Sequence, residues 1–600
     1  MSTQRAARSI FSSPDEPLLK LCDTYIGFGT STLSEATVRR ASLEIRPGSV
    51  AALVGESGSG KTLLAKSLLG LLPQGARVLS GSAHLLGRDI FRLDATEQRA
   101  LRGAEVGLIL QEPLTALNPA LKIGRQMTEA LVMHSGSSND AARSEAMRML
   151  DRVGIDRPTT RMGQYPHEFS GGMRQRIMIA AMLMLKPRLL IADEPTTAID
   201  AQAQREVMAL MLGLVREIEA AMLLITHDLG VVVDYADSVF VMERGELVES
   251  GQVADCLVRP QHEYTRRLLS ALPGERAVES ASPVSDKGDP CLQLKEVSVV
   301  YPGSRAWPWS RRDSFPALSP TSLTLHRGEV LSLVGESGSG KTTLARSVVG
   351  LAPLSKGEIL FDGAPMLHSG MGRRRLASAI QMVFQDPYSS LDPRWRVGDI
   401  VAEPLRGSGL SQAQIKQVVL DSLAACGLQA DYVERFPHAL SGGQRQRVGI
   451  ARALVVEPEL VVADEPVSAL DLTVQAQILA LIQKLQEDRG FSLLFISHDL
   501  SVVEQISDRV AVMRNGRIVE RGRTKDIFKH ATHPYTKALL RASPVLGIDT
   551  DGAYRLGPRQ PQARSVPQGW RCAELARDKF DGGLKEIDLG DGHQVLVEEA

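Results

Sequence analysis

The sequence predicts two tandem α/β domains, each with a mixed β-sheet core, and three observations lead to this expectation. The segment GESGSGKT occurs at residues 55–62 and returns unchanged at residues 335–342. Other landmarks recur at a constant spacing of 271 residues, which pairs Ser170 with Ser441, Asp193 with Asp464, Asp200 with Asp471, and His227 with His498. Short apolar runs lead into both glycine-rich segments, as buried strands of α/β domains do. A constant spacing over several landmarks indicates duplication of a whole domain.

The order of the apolar runs justifies the elements expected in each copy. Residues 49–54 and 329–334 are β-rich and precede the glycine-rich segments, and residues 63–72 and 343–351 then show helical apolar spacing. Later runs are continuously apolar, as parallel strands covered on both faces should be, at residues 189–192, 222–225, 460–463 and 493–496. Each copy therefore reads as strand, glycine loop, helix and further buried strands.

Shifts in composition set the expected domain boundaries. We expect a disordered N-terminus at 1–16, a first domain at 17–272, a linker at 273–290, a second domain at 291–545 and a C-terminal extension at 546–600. The linker is polar and contains few large apolar residues. The extension is rich in Pro, Gln and Arg, so weak order is expected there.

Bulk composition limits the class of protein. Of 600 residues, 43% are hydrophobic and 23% charged, which suits a globular protein of several domains. Lys and Arg number 69 against 70 Asp and Glu, so a nucleic-acid-coating role and a nucleic-acid partner are not expected. No apolar run is long enough to span a bilayer, and the first residues lack the apolar core of a signal peptide. The five scattered cysteines predict reduced thiols without a disulfide or metal site.

The repeated segment matches the phosphate-binding loop, whose glycines let backbone N–H groups surround phosphate oxygens at a helix N-terminus. Lys61 and Lys341 are expected to reach the β- and γ-phosphates, and Thr62 and Thr342 to bind Mg²⁺. The predicted ATP-binding residues of the loops are Gly55, Glu56, Ser57, Gly58, Ser59, Gly60, Lys61 and Thr62, then Gly335, Glu336, Ser337, Gly338, Ser339, Gly340, Lys341, Thr342 and Thr343.

An acidic pair follows a buried apolar run in each copy. Asp193 and Asp464 are placed to hold Mg²⁺, directly or through water. Glu194 and Glu465 are placed to activate the attacking water as general bases.

Between the loop and the acidic pair lie the segments FSGGM at residues 169–173 and LSGGQ at residues 440–444, each followed by Arg-Gln-Arg. With these signatures the chain resembles the ATP-binding cassette (ABC) ATPases, P-loop NTPases with a helical subdomain. The resemblance implies that the signature residues bind ATP, namely Ser170, Gly171, Gly172, Ser441, Gly442, Gly443 and Gln444. It also makes Gln111 and Gln385 the Q-loop glutamines, which contact ATP and Mg²⁺, and Asp200 and Asp471 the D-loop aspartates. His227 and His498 become the switch histidines of catalysis, and Phe28 and Tyr301 the aromatic residues that stack on adenine.

In that family two domains face head to tail and enclose two ATP molecules, so the chain is expected to form a pseudo-dimer. Lys61 and its neighbours would work with the signature at 441–443, and Lys341 and its neighbours with the signature at 170–172. Met173 replaces the usual signature glutamine but leaves the Ser-Gly-Gly backbone. Two hydrolytically competent sites are therefore expected.

Finer resemblance points to one group of importers. The Q-loop glutamines continue as EPLTALNP at 112–119 and DPYSSLDP at 386–393, and the copies close with HEYT at 262–265 and HPYT at 533–536. These features resemble the ATPases of dipeptide, oligopeptide, nickel and glutathione importers, here with both ATPases fused. The resemblance implies peripheral attachment to the cytoplasmic face of the inner membrane, two integral-membrane permease subunits, and indirect work with an extracytoplasmic substrate-binding protein.

Peptides are the substrate class that the resemblance favours, with nickel, glutathione, opines or oligosaccharides as alternatives. A soluble tandem ABC ATPase acting on ribosomes is disfavoured by the short linker, a DNA-repair ATPase by the absence of zinc-type cysteine pairs, and an exporter by the HPYT-type elements. The family often binds an iron–sulfur centre through a C-terminal cysteine cluster. Only Cys572 is present in the extension, so no cluster is predicted.

Overall fold

The computed structural model describes residues 16–30, 32–110, 117–196, 201–270, 289–302, 314–366, 376–386, 390–468, 470, 472–548, 554–559, 561–562, 564–567, 570–573 and 584–599. Contacts divide the chain into two compact units. The first is formed mainly by residues up to 271, and the second mainly by residues 272–546 and 557–600. Within the described residues, no helix is long and apolar enough to cross a membrane.

Ten strands of the first unit form two sheets. They are β1 (Leu19–Phe28), β2 (Val38–Ile45), β3 (Val50–Val54), β4 (Ala76–Leu85), β5 (Arg88–Asp89), β6 (Val106–Ile109), β7 (Leu189–Asp193), β8 (Ala221–Ile225), β9 (Ser238–Glu243) and β10 (Glu246–Gln252). An antiparallel sheet has the order β2-β1-β4-β5, and the main sheet has the order β10-β9-β3-β8-β7-β6. The main sheet is parallel except for β10. Every residue of β3, β7 and β8 is buried, as the continuous apolar runs predicted.

Helices cover the main sheet and extend beyond it. They are α1 (Lys61–Ser67), α2 (Ala95–Leu101), α3 (Ile123–Ser135), α4 (Asn139–Arg152), α5 (Pro158–Arg161), α6 (Gly171–Leu183), α7 (Ala201–Glu217), α8 (Leu229–Tyr235), α9 (Val253–Cys256) and α10 (Glu263–Ser270). Apolar residues of α3, α4 and α6 share one core with those of β7, β8 and α7. This packing forms the helical subdomain that the resemblance implied.

The second unit repeats this architecture. Its strands are β11 (Pro290–Pro302), β12 (Ser314–His326), β13 (Val330–Val334), β14 (Lys356–Phe361), β15 (Ala364–Pro365), β16 (Ile380–Val383), β17 (Leu460–Asp464), β18 (Ser492–Ser497), β19 (Arg509–Arg514) and β20 (Arg517–Arg523). Its helices are α11 (Lys341–Val348), α12 (Val397–Ala402), α13 (Gln412–Ala425), α14 (Gly442–Leu454), α15 (Leu472–Arg489), α16 (Leu500–Ile506), α17 (Thr524–His530) and α18 (Pro534–Ala542). The antiparallel sheet has the order β12-β11-β14-β15.

The C-terminal extension forms strands, although its composition led us to expect weak order. The strands are β21 (Pro544–Ile548), β22 (Tyr554–Pro558), β23 (Trp570–Cys572), β24 (Lys585–Asp588) and β25 (Gln594–Glu599). β21 pairs with β22, whereas β25 pairs with β20 and extends the main sheet to the order β16-β17-β18-β13-β19-β20-β25-β23, with β24 also on β25. The extension therefore covers β20, which would otherwise be an edge strand of the main sheet of the second unit.

A buried ion pair also fastens the extension to the second unit. Arg559 of the extension bonds both carboxylate oxygens of Glu504 on α16, and its guanidinium lies 4.8 Å from the centre of the Phe528 ring. The Glu504 side chain is 1% exposed and that of Arg559 is 11% exposed. Removing one partner of such a pair leaves the other charge buried without compensation.

We predict that Arg559→Ala lowers the free energy of unfolding of the second unit by about 3 kcal/mol. Pulse proteolysis of the full chain in increasing urea measures the change. Lys295→Ala is the control, because Lys295 pairs with Glu358 on the surface and should not shift the midpoint measurably. Equal midpoints for Arg559→Ala and the unsubstituted chain would contradict the prediction.

Candidate active site

Each phosphate-binding loop connects a central strand of the main sheet to a helix that begins at its lysine. The loop of the first unit joins β3 to α1, and that of the second joins β13 to α11. Gly55 has a φ of 153°, and a Cβ added there would lie 2.1 Å from the carbonyl oxygen of Met242 on β9. Gly335 makes the same approach to the carbonyl oxygen of Met513 on β19, also at 2.1 Å. Both loops therefore need glycine at their first position.

The loop lysines are buried and bound to their own loops. Lys61 Nζ donates to the carbonyl oxygens of Gly55 and Glu56, both at 2.7 Å. Lys341 Nζ makes the same bonds in the second unit, at 2.7 and 2.8 Å. The ammonium groups are thus fixed at the mouths of their loops, where phosphate oxygens bind in this motif.

The predicted Mg²⁺ residues meet in pairs at the end of a buried strand. Thr62 Oγ1 donates to Asp193 Oδ1 at 3.2 Å, and Thr342 Oγ1 to Asp464 Oδ1 at 3.3 Å. Adjacent oxygens around an octahedral Mg²⁺ at about 2.1 Å lie about 3 Å apart, so both pairs fit the ion. Burial raises the pKa of both aspartates, and the threonine hydroxyl works against that shift. Among the described residues no three His, Cys, Asp or Glu side chains could hold a metal by themselves.

The predicted general bases sit on strained backbone. Glu194 and Glu465 both have a φ of 47°, a left-handed conformation that is uncommon outside glycine. Their N–H groups donate at 2.9 Å to the carbonyl oxygens of Ile225 and Ile496, the residues beside them on the next strand. Backbone strain of this kind concentrates at functional sites, where it aims a side chain.

Each glutamate lies beside the predicted switch histidine. His227 Nδ1 is 3.3 Å from Glu194 Oε1, and His498 Nδ1 is 3.1 Å from Glu465 Oε2. Burial lowers the pKa of both histidines, but the hydrogen bond and charge of the glutamate outweigh it, so both pKa values are raised. Burial raises the pKa of Glu465, but His498 outweighs it, and the net pKa is lowered. The lowered pKa favours the ionised carboxylate, the form that the predicted role as general base requires.

Gln385 joins the same cluster, because its Nε2 donates to Glu465 Oε2 at 2.8 Å. Its counterpart Gln111 and the D-loop residues Asp200 and Asp471 lie outside the described residues, so those predictions stay predictions.

The aromatic residues predicted to stack on adenine lie at or near the ends of strands in the two antiparallel sheets. Phe28 ends β1 and is 45% exposed, and Tyr301 lies near the end of β11. Two residues before Phe28, Ile26 pairs with Val38, whose side chain would lie 3.0 Å from a Cβ built on Gly60. The strand that carries Phe28 therefore pairs with β2, the strand whose Val38 lies beside the phosphate-binding loop.

The signature serines cap the helices that follow them. Ser170 Oγ accepts from Met173 N at 3.3 Å at the start of α6, and Ser441 Oγ accepts from Gln444 N at 3.3 Å at the start of α14. Gln444 also accepts from Ser441 N at 3.0 Å and donates to the hydroxyl of Tyr432 at 2.9 Å. The side chain that we predicted to bind ATP is thus engaged in a capping box. Met173 has no amide with which to make these bonds.

Sequence reasoning missed one contributor to each site. Tyr264 and Tyr535 are buried, and their hydroxyls accept from the backbone N–H of Glu56 and Glu336 inside the loops, both at 2.9 Å. The signal was present in the HEYT and HPYT segments, which were used only as family markers.

Comparison with known proteins identifies the family. The "ABC transporter" family model matches residues 38–197 and 318–468, and that of the "Oligopeptide/dipeptide transporter, C-terminal region" matches residues 248–290 and 519–574. The glutathione import ATP-binding protein GsiA of Escherichia coli K12 is 42% identical over 540 residues, with 85% of this chain and 87% of that protein covered. GsiA of Salmonella typhimurium is 43% identical over 540 residues, with 85% and 86% covered. The solved structure of cbiO1 from Clostridium perfringens, part of the ABC transporter complex cbiONQ, is 32% identical, with a TM-score of 0.36, and covers 40% of this chain and 91% of that one.

The family-model matches and the GsiA relatives confirm the resemblance, the fold class and the expected ATPase activity. The ABC transporter model matches more than half of the chain, in both units, and the C-terminal model matches the segments that contain HEYT and HPYT. The chain therefore belongs to the ABC transporter ATP-binding proteins, as an importer ATPase with two fused nucleotide-binding domains of the dipeptide, oligopeptide, nickel and glutathione group.

Proposed function

We propose that both units bind and hydrolyse ATP and thereby energise uptake of peptides through two permease subunits. The observation that carries the proposal is the duplicated cluster of lysine, threonine, aspartate, glutamate and histidine at the same strand ends. Lys61 and Lys341 neutralise the β- and γ-phosphates, while Thr62 with Asp193, and Thr342 with Asp464, hold Mg²⁺. When bound, Mg²⁺ would neutralise part of the phosphate charge.

Water activation falls to the glutamate and histidine of each unit. Glu194 or Glu465 accepts a proton from the attacking water as it approaches the γ-phosphorus in line with the leaving oxygen. The histidine at 3.3 or 3.1 Å orients that carboxylate and is placed to contact the γ-phosphate. The left-handed backbone of both glutamates keeps the carboxylate at the strand end beside the loop.

Each ATP is further proposed to meet the signature of the other unit, as in the family. The cluster of Lys61 then works with residues 441–443, and the cluster of Lys341 with residues 170–172. Closure around two ATP molecules and opening after hydrolysis form a two-state equilibrium biased by the γ-phosphate.

A pocket of the second unit suits a permease helix. Its volume is about 670 Å³, and its lining includes Trp395, Glu403 and Arg452. Arg452 donates to the carbonyl oxygen of Ser390 at 2.8 Å, and the Arg406 guanidinium lies 4.6 Å from the centre of the Trp395 ring. A pocket with a tryptophan anchor and charged groups at its rim is typical of protein–protein interfaces. The first residues of the pocket lining follow Gln385 closely in the chain. A helix docked in the pocket would therefore be linked, through Gln385, to Glu465.

The two copies present different residues at this position. Aligned on the Q-loop and signature segments, Trp395 corresponds to Leu121, and Arg452 to Ala181. Different pocket chemistry favours two different permease subunits, one for each unit. Attachment to them places the chain on the cytoplasmic face of the inner membrane.

Peptides are the proposed cargo, with glutathione as the first candidate. The support is that GsiA relatives are named for glutathione import and that the C-terminal family model is named for oligopeptide and dipeptide transporters. The extracytoplasmic binding protein, which selects the cargo, acts on this chain only through the permeases.

Substitution of both general bases should abolish turnover and preserve ATP binding. We expect Glu194→Gln with Glu465→Gln to lower the ATPase rate at least about 100-fold, because the amide cannot accept the water proton. Phosphate release and nucleotide retention are measured on the same protein. Near-normal turnover in the double variant would refute these residues as bases.

Trp395→Ala should weaken attachment to one permease, because a buried tryptophan anchor is commonly worth more than 2 kcal/mol. The measurement is mild-detergent pull-down with the chain as bait and quantitative mass spectrometry of the captured membrane proteins. Leu121→Ala is the matched variant and should affect the other permease. Equal loss of both permeases in either variant would contradict separate docking surfaces.

Cargo dependence is tested with the transporter reconstituted from this chain and the captured permeases and binding protein. Glutathione or short peptides should stimulate ATP hydrolysis, because loaded binding protein favours the closed state of the ATPase. Stimulation by Ni²⁺ or an oligosaccharide, with no response to peptides, would replace the proposed cargo.

A further inference from the structure

We propose that the C-terminal extension is a positioning element for the second ATP site alone, acting through His533 and Tyr535 on the phosphate-binding loop. The inference rests on the proposed role of that loop in binding ATP. Its starting point is the contact that sequence reasoning missed, between the tyrosine of the HPYT segment and the loop.

Tyr535 and the loop lysine bind opposite ends of one peptide group, the one between Gly335 and Glu336. The Tyr535 hydroxyl accepts from Glu336 N at 2.9 Å, while the carbonyl oxygen of Gly335, which belongs to the same peptide group, accepts from Lys341 Nζ at 2.7 Å. The tyrosine is 4% exposed, and the Arg514 guanidinium lies 4.8 Å from the centre of its ring. A displaced Tyr535 would leave a loop N–H without its acceptor and free the carbonyl that fixes the ammonium.

Buried polar groups of Glu520 and His533 bind backbone N–H groups at the start of α18, the helix that contains Tyr535, and we call these two residues the seat of Tyr535. Glu520 on β20 accepts from Thr532 N at 2.7 Å and from His533 N at 3.1 Å. His533 Nδ1 then accepts from Tyr535 N at 3.1 Å at the start of α18. Glu520 and His533 are each 1% exposed, so water does not compete for these hydrogen bonds and does not weaken them.

The extension completes this seat. His593 Nε2 lies 2.7 Å from Glu520 Oε1, and His533 Nε2 lies 3.1 Å from the carbonyl oxygen of Ala573. Both contacts join the extension to the seat of Tyr535, and His593 is fully buried. A continuous chain of hydrogen bonds therefore runs from the extension through His533 and Tyr535 to the phosphate-binding loop.

The first unit has the same seat in more exposed form. Glu249 accepts from Gln261 N at 2.8 Å and from His262 N at 3.1 Å, and His262 Nδ1 accepts from Tyr264 N at 3.2 Å. Glu249 and His262 are only partly buried, because in the first unit β10 is the edge strand of its sheet. Within the residues that the structure describes, the contacts from His593 and Ala573 are made to the second copy of this arrangement and not to the first, so the first copy serves as an internal control.

The test measures ATP affinity at one site at a time in the full chain. Lys61→Ala leaves the second site, and Lys341→Ala leaves the first, each titrated with a fluorescent ATP analogue. With Lys61→Ala, we expect Tyr535→Phe to weaken binding about tenfold, the effect of one unsatisfied buried N–H. His593→Ala should weaken binding at the same site about threefold or more, as substitutions along coupled networks do. With Lys341→Ala, His593→Ala should leave the affinity of the first site unchanged, whereas Tyr264→Phe should weaken it.

His593→Gln separates positioning from loss of fold, because its amide can still donate to Glu520. It should restore second-site affinity to within about twofold of the His593 protein, a rescue that simple packing loss would not show. Unchanged second-site affinity in His593→Ala, or equal weakening at both sites, would overturn the inference. If Lys61→Ala with Lys341→Ala bound the analogue as tightly as the unsubstituted chain, the assignment of the loops themselves would fail instead.

Discussion

Both ATP sites depend on how a lysine ammonium is held inside its own loop. Lys61 is buried, and a buried ammonium without acceptors would lose several kcal/mol of solvation. Two loop carbonyls must therefore turn inward to it, and Gly55 permits this only because no Cβ collides with Met242 on the neighbouring strand. Because β9 lies beside β3 in the sheet, the loop after β3 needs glycine at this position.

The strands on the other side of β3 carry the predicted catalytic groups. β8 lies between β3 and β7, so the histidine that follows β8 and the acidic pair that ends β7 converge on the loop after β3. Parallel strands end at one edge of a sheet, which is where ligands bind in such folds. The bond from Glu194 N to the Ile225 carbonyl ties the two strand ends together, and the left-handed conformation of Glu194 is the local cost of that convergence.

How much the sequence could predict depends on the distance over which each interaction acts. The loops, buried strands and acidic pairs are local patterns, and the duplicated spacing made them unambiguous. The bond from Glu336 N to Tyr535 joins residues 199 positions apart, and that of His593 with Glu520 joins residues 73 apart. No periodicity encodes such pairs. The extension was expected to be weakly ordered because it is rich in Pro, Gln and Arg, yet its strand β25 pairs not only with β23 and β24 but also with β20, which lies outside the extension. Gln444 shows that a local pattern can carry two interpretations. Its Ser-x-x-Gln spacing is that of a capping box, which the structure shows, while ATP binding by this side chain stays a prediction.

The two units differ at the signature and in the contact with the extension. Both differences affect the same ATP site if each ATP meets the signature of the opposite unit, as proposed. The cluster of Lys341 would then face the signature that contains Met173, whose helix lacks the glutamine half of its capping box. That cluster also has the loop braced by the extension through Tyr535. The site of Lys61 has the opposite combination, a complete capping box at residues 441–444 and an unbraced loop. If the signature with Met173 holds the γ-phosphate less well, a loop fixed by the extension would offset the lost ATP affinity at that same site. Unequal parts can in this way give two sites that both remain competent.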